Sequence, residues 1–151
     1  MASGLYATPL KNNLTQTTNF QIDFDDTTAG RFKCMLVTGY TPNFETHSVK
    51  SDVSSFEVSG AGYSAGGEAL TGVTFTASGG AAAAILTWDA ADVTWSASTI
   101  TNAQGAVIYD TTETNEPLIA YVDFGGSFST TSGTFQIVWN ASGIFTLDVT
   151  P

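Results

Sequence analysis

At 151 residues the chain is the length of one ordinary domain, enough to bury a hydrophobic core without disulfides or metals. It carries 4 Lys and Arg against 14 Asp and Glu, a formal net charge of −10, and no basic residue follows Lys50. Nucleic-acid affinity rests on clustered Lys and Arg that displace counterions, so this balance argues against DNA, RNA or an anionic membrane as a partner.

Charge is unevenly placed. Asp23, Asp25, Asp26 and Glu45 balance the four cations Lys11, Arg31, Lys33 and Lys50, and the remaining ten carboxylates all lie beyond Lys50. Cys34 is the single cysteine and sits in the apolar run Phe32, Cys34, Met35, Leu36 and Val37, which predicts a buried packing residue rather than a disulfide. The first residues lack the basic start and apolar stretch of a secretory signal, and no apolar run approaches ~20 residues. Synthesis in a cytoplasm as a soluble protein is the expectation.

In chain order, residues 1–19 come first and differ from the rest. Their apolar side chains are few (Leu5, Tyr6, Leu10, Leu14), and a polar run contains Asn12, Asn13, Thr15, Gln16, Thr17 and Thr18. Fixing each residue costs about 1 to 2 kcal/mol, so the segment reads as an extended N-terminal arm that orders only against a partner. At ~3.3 Å per residue it would span roughly 60 Å. Its removal is expected to leave the remainder folded and to weaken attachment to a neighbouring subunit.

Residues 20–151 read as a single β domain. Apolar and polar residues alternate at Phe20-Ile22-Phe24, Phe56-Val58, Val73-Phe75, Val107-Tyr109, Tyr121 with Val122, Phe135-Ile137 and Phe145-Leu147. Phe32–Val37 and residues 117–122 are more continuously apolar, as strands covered on both faces are. Gly, Asn, Asp and Ser cluster between these runs, most densely at 59–67 and 125–133. Short strands so spaced predict an all-β fold: an antiparallel β-sandwich or partly closed barrel. Residues 81–86, four alanines then Ile85 and Leu86, are taken as strand rather than helix. Phe32, Leu36, Val58, Val73, Trp95, Val107, Tyr121, Ile137 and Phe145 form the expected core.

Chemistry is sparse. His47 is the only histidine and stands thirteen positions from Cys34, so neither a zinc site nor a Cys-His or Ser-His-Asp arrangement is indicated. Asp23, Asp25 and Asp26 offer hard oxygens but lack the calcium-loop pattern, and residues 60–67 lack the Lys-Ser/Thr pair of a phosphate cradle. Asp89 and Asp92 beside Trp88 and Trp95 are the tempting pair for glycoside hydrolysis, or a sugar-stacking face with Tyr109. Turn aspartates between core aromatics is the plainer reading. No catalytic residue, cofactor or metal is expected, and the chain is read as not an enzyme.

Three stretches in order resemble a family of small tailed-phage structural proteins. They are Phe32–Val37 leading into Tyr40-Thr41-Pro42 with Thr46-His47; Ser51-Asp52-Val53 through Val58 and Gly60-Ala61-Gly62-Tyr63 to Leu70; and Ala90-Ala91-Asp92-Val93-Thr94-Trp95 with Val107-Ile108-Tyr109-Asp110, Pro117-Leu118-Ile119-Ala120-Tyr121 and Gly143-Ile144-Phe145. The resemblance covers residues 26–149 and implies a capsid decoration, or cement, protein. Its expected partners are the major capsid protein and further copies of itself. Packed DNA would repel a domain this acidic, which places it on the outer capsid surface of the virion. Leu5, Tyr6, Leu10, Lys11, Tyr40 and Phe44 are the candidate capsid or subunit contacts, with loops 40–47 and 125–133 as the other docking places. The competing expectation is a carbohydrate-binding or host-adhesion β module of a virion, stacking sugars on Trp88, Trp95 or Tyr109.

Overall fold

The computed structural model describes residues 2–80 and 83–150. In chain order it contains β1 (Gly4–Leu5), α1 (Ala7–Leu14), β2 (Phe32–Val37), two 3₁₀ turns (Lys50–Asp52 and Ser54–Phe56), β3 (Glu68–Ala69), β4 (Thr74–Ser78) and β5 (Ile85–Asp89). Then follow β6 (Val93–Ser98), β7 (Ala103–Asp110), β8 (Leu118–Phe128), β9 (Gly133–Ile137) and β10 (Phe145–Asp148). The protein is all-β with antiparallel pairing throughout.

One layer is a five-stranded sheet in the order β1-β8-β7-β2-β3. The other is built from β10-β5-β4 and β9-β6. These two pieces are one kinked ribbon. The connection 138–144 stays beside the connection 90–92, because the Trp139 N–H donates to Asp92, its indole donates to the Ala91 carbonyl at 3.1 Å, and the Ile144 N–H donates to the Trp88 carbonyl at 2.8 Å. The chain through β9 and β10 therefore runs antiparallel to the chain through β5 and β6 along the whole length.

Side-chain alternation sorts the central strands into two cores. Phe32, Cys34 and Leu36 of β2 with Ala106 and Ile108 of β7 face Trp88, Val93, Trp95, Phe135 and Ile137 of the second layer. Met35 and Val37 with Val107 and Tyr109 face the opposite way, onto Tyr6, Tyr40, Val53, Leu118 and Tyr121. Double coverage is the reason that Phe32–Val37 is apolar without a break. Of the expected core residues, Phe32, Leu36, Val58, Val73, Trp95, Val107, Tyr121 and Ile137 are buried, whereas Phe145 is only half-buried at the start of β10.

The N-terminal segment departs from the extended arm that its composition suggests. Leu5 pairs with Ala120, adding β1 to the edge of the large sheet, and the Tyr6 N–H donates to the Ile119 carbonyl at 3.0 Å. Tyr6 is fully buried, and Pro9 starts α1 in a first turn where its missing N–H has no partner to lose. A single large side chain thus offsets the polarity of its neighbours: burying one aromatic ring yields roughly 2 to 3 kcal/mol before any hydrogen bond. Two further runs differ. Phe20-Ile22-Phe24 forms no strand and enters a turn at Phe24, and Phe56 closes a 3₁₀ turn before Val58 bonds the Leu36 carbonyl. Of the expected strand over 81–86, β5 supplies Ile85 and Leu86, Ala83 and Ala84 precede it outside any strand, and Ala81 and Ala82 lie outside the described residues.

Candidate docking groove

A concavity of about 740 Å³ opens between the edge of the large sheet and the edge of the ribbon. Its near wall is Ser3, Gly4 and Leu5 with Ala120, Tyr121, Val122, Phe124 and Phe128 of β8; its far wall is residues 134–140 with Gly143, Ile144 and Phe145. Side chains of a strand alternate between faces, so a wall made of seven successive residues is a strand seen edge-on. β8 and β9 follow one another in the chain yet belong to different sheets, and their divergence creates the gap.

Local features hold the walls. Four residues of β8 bulge opposite one of β7, between the pairs Gly105↔Asp123 and Ala103↔Phe128, and Gly125 supplies the φ of 70° that this needs. Phe124 then reaches Phe135 across the gap (5.9 Å between ring centroids) and packs edge-on against Phe128 at 6.2 Å. Phe124 and Phe135 form the floor. On the rim, Phe128 is 51% and Val138 68% exposed, more than solvation of large apolar side chains favours.

No Asp, Glu, Lys, Arg or His lines the groove, in a chain of net charge −10. Carboxylates stand just outside it: Asp92 holds Trp139 from behind, and Asp89 lies 3.5 Å from the position that a Cβ on Gly143 would take. The surface is suited to apolar contact, and the hydroxyls of Ser3, Ser129, Thr130 and Thr134 that line it have no acid or base among the other lining side chains.

The residues singled out from sequence fall in several places. Leu5 lines the groove, and Leu10 lies half-buried beside Leu5, Ile22 and Phe24. Lys11 is exposed in the last turn of α1. Tyr6, Tyr40 and Phe44 meet one another instead of a partner. The Tyr6 and Tyr40 hydroxyls are 2.9 Å apart, Tyr40 Oη lies 2.7 Å from His47 Nδ1, and the Tyr6 and Phe44 rings are 5.5 Å apart. The Asn43 N–H also points at Nδ1 (3.2 Å), so that nitrogen accepts, and the Tyr40 hydroxyl donates to it. Burial, then the bond with Tyr40, pushes the Tyr6 hydroxyl far above its ordinary titration range. Tyr6 and Tyr40 are therefore corrected from subunit contacts to intramolecular ones, because their exposure is 0% and 4%.

Other candidates are absorbed by the fold. Trp88, Trp95 and Tyr109 are all buried to within 1%, so none is a platform for sugar stacking. Asp26 accepts from Arg31 at 2.8 Å, and Arg31 also binds the buried Asp110 through Nε and Nη2. Burial raises the Cys34 thiol well above its usual value. Among the described residues, no group of three or more His, Cys, Asp and Glu side chains is placed to hold a metal ion.

Sequence reasoning named loop 125–133, which contributes Phe128, Ser129 and Thr130, but missed Val138 and Trp139. A signal was present: Ile137-Val138-Trp139 breaks the alternation begun at Phe135, placing an apolar side chain on the solvent face. In comparisons with known proteins, no family model matches the chain, no curated protein matches it, and no solved structure matches it.

Proposed function

We propose that this chain is a non-enzymatic structural protein that decorates the outer surface of an assembled phage capsid, docked through the groove on the major capsid protein. The observation that carries the reading is the uncharged, aromatic-floored groove on an otherwise acidic domain. Protein-binding patches have an apolar, charge-depleted centre inside a polar rim. The acidic remainder repels nucleic acid, which favours the exterior of a DNA-filled shell. The resemblance to tailed-phage structural proteins supports the same assignment.

The test is occupancy. Purified chain is mixed at limiting concentration with undecorated capsids assembled from the major capsid protein of the same genome, and bound copies are counted after sedimentation. Saturable binding to assembled capsids but not to free capsid subunits is expected, with at least a tenfold loss for Val138→Asp. Absence of binding, or equal binding by that variant, removes the assignment of the groove to capsid docking.

A further inference from the structure

From the unpaired strand edges along the groove we infer what occupies it: an extended polypeptide segment from a cationic partner, with alternating apolar side chains and Lys or Arg at its ends, which adds as a strand. The inference rests on the proposed docking role of the same groove and specifies its chemistry.

The first ground is the backbone. β9 pairs only with β6, and β10 only with β5, so each has one unpaired edge. The groove wall is lined continuously by β9 and the connection after it, residues 134–140, and β10 joins it at Phe145. Across the gap, β1 covers β8 only at Ala120 and Tyr121, and the Ser3 hydroxyl accepts the Asp123 N–H at 2.9 Å. Beyond that point, among the described residues, the β8 edge has no strand beside it. Proteins usually blunt an open edge with charge, and here Thr134, Gln136 and Val138 carry none. An open, uncharged edge is a template for an added strand, whose main chain supplies affinity and whose alternate side chains supply specificity.

The second ground is what the chain does with the adjacent space. Its stretch 20–24 inserts Ile22 and Phe24 beside Leu5, Ile119 and Phe145, leaving a gap of only about 10 Å³. Phe24 meets Trp88 and Phe145 edge-on at 5.5 and 5.7 Å, and its carbonyl accepts the Trp88 indole N–H. Leu5 and Phe145 line both this filled space and the open groove. A segment with alternating apolar residues that belongs to no strand already fills one end of the seam, and the groove is the stretch of seam that it leaves empty.

The third ground is charge. Asp89 and Asp92 flank the groove, Asp123 stands beside its near wall, and the whole chain carries a net charge of −10. A second copy, also at −10, would meet repulsion there, whereas a segment ending in Lys or Arg would meet attraction.

The probe is a soluble nine-residue peptide with a Thr-Val-Thr-Val-Thr centre and two Lys at each end, titrated into the full chain by calorimetry. Companion peptides carry Glu in place of Lys, or N-methyl groups on the odd or on the even central residues. Saturable binding is expected, at least tenfold weaker for the Glu peptide and for at least one N-methyl peptide, and abolished by Val138→Asp or Phe128→Asp, whose melting curves report folding. No binding by the Lys peptide, or equal binding by both N-methyl peptides, overturns strand addition. Equal binding by the Lys and Glu peptides overturns the cationic partner. A dimer in sedimentation that Val138→Asp dissolves assigns the groove to a second copy instead. The capsid assay separates the two readings: capsid occupancy without peptide discrimination refutes strand addition alone, and peptide binding without occupancy refutes capsid docking alone.

Discussion

The two flanks of the large sheet are finished in opposite ways. On one, Tyr6, Tyr40, Tyr109 and Tyr121 close over Met35, Val37 and Val107, and three of the hydroxyls find partners: Tyr6 and Tyr40 bond each other, and Tyr109 donates to the Gly66 carbonyl at 2.8 Å. On the other, the aromatics along the seam include Phe124, Phe128, Phe135 and Trp139, and two walls stand apart. Tyrosine suits a closed site because the ring adds apolar area while the hydroxyl ties the seal to the backbone. Phenylalanine and valine at an open edge gain nothing from water. The contrast teaches that aromatic content alone does not mark a binding surface; whether each ring is already covered does.

The largest effect is expected where the closed flank depends on the N-terminal segment. Tyr6→Ala empties a fully buried site and should cost ~3 to 5 kcal/mol in denaturant unfolding. Deleting residues 1–14 should destabilise the domain at least as much, contrary to the behaviour of a free arm. A loss under 1 kcal/mol for either would show that the segment rests lightly on the sheet and that the two flanks differ less than their geometry says.

A smaller effect isolates the hydroxyls. Tyr6→Phe keeps the ring and removes one bond from the chain Tyr6, Tyr40, His47, so about 1 kcal/mol should be lost. His47→Phe should cost a similar amount and should couple to Tyr6→Phe in a double-mutant cycle, since the two act through Tyr40. Additive losses would mean that the hydroxyls act separately.

The strap 20–30, which fills the end of the seam, gives a pH test. The Thr28 hydroxyl and N–H, with Arg31, hold the Asp26 carboxyl down at about 2. Its folded value lies below the unfolded one, so its contribution is present above about 4 and is lost as pH falls toward about 2. Asp26→Asn should remove that part of the acid sensitivity and, because the contribution is present at neutral pH, lower the melting temperature there toward its acid value. An unaltered acid limb in the variant would assign the sensitivity to other carboxylates.

Fold class was legible because period-two alternation reports a half-buried strand directly, as at Phe135-Ile137, and an unbroken run such as Phe32–Val37 reports double burial. The position of residues 1–19 was not, because composition averages over a segment and one residue, Tyr6, decides its fate through contacts 34 positions away at Tyr40. The groove was legible only in fragments. Val138 and Trp139 betray it by breaking alternation, but that β8 and β9 diverge rather than pair is set by their registers with β7 and β6, which no local pattern encodes.

The smallest effect on stability is expected on the groove rim, and it is the sharpest test of the comparison. Val138 is 68% exposed, and Phe128 51%, so each already spends most of its surface in water. Val138→Asp removes little buried area and should shift unfolding by no more than about 0.5 kcal/mol, the usual range for surface sites, whereas Phe128→Ser gives up the covered half of a ring and should cost roughly 1 to 2 kcal/mol. The unfolding slope should not change, since the area exposed on unfolding is nearly the same. A rim that matters to folding would lose several times more, as Tyr6→Ala does, and the groove would then be an imperfect part of the core. Unchanged stability together with weakened attachment to capsids separates the roles: these side chains are kept apolar for a surface that is not their own.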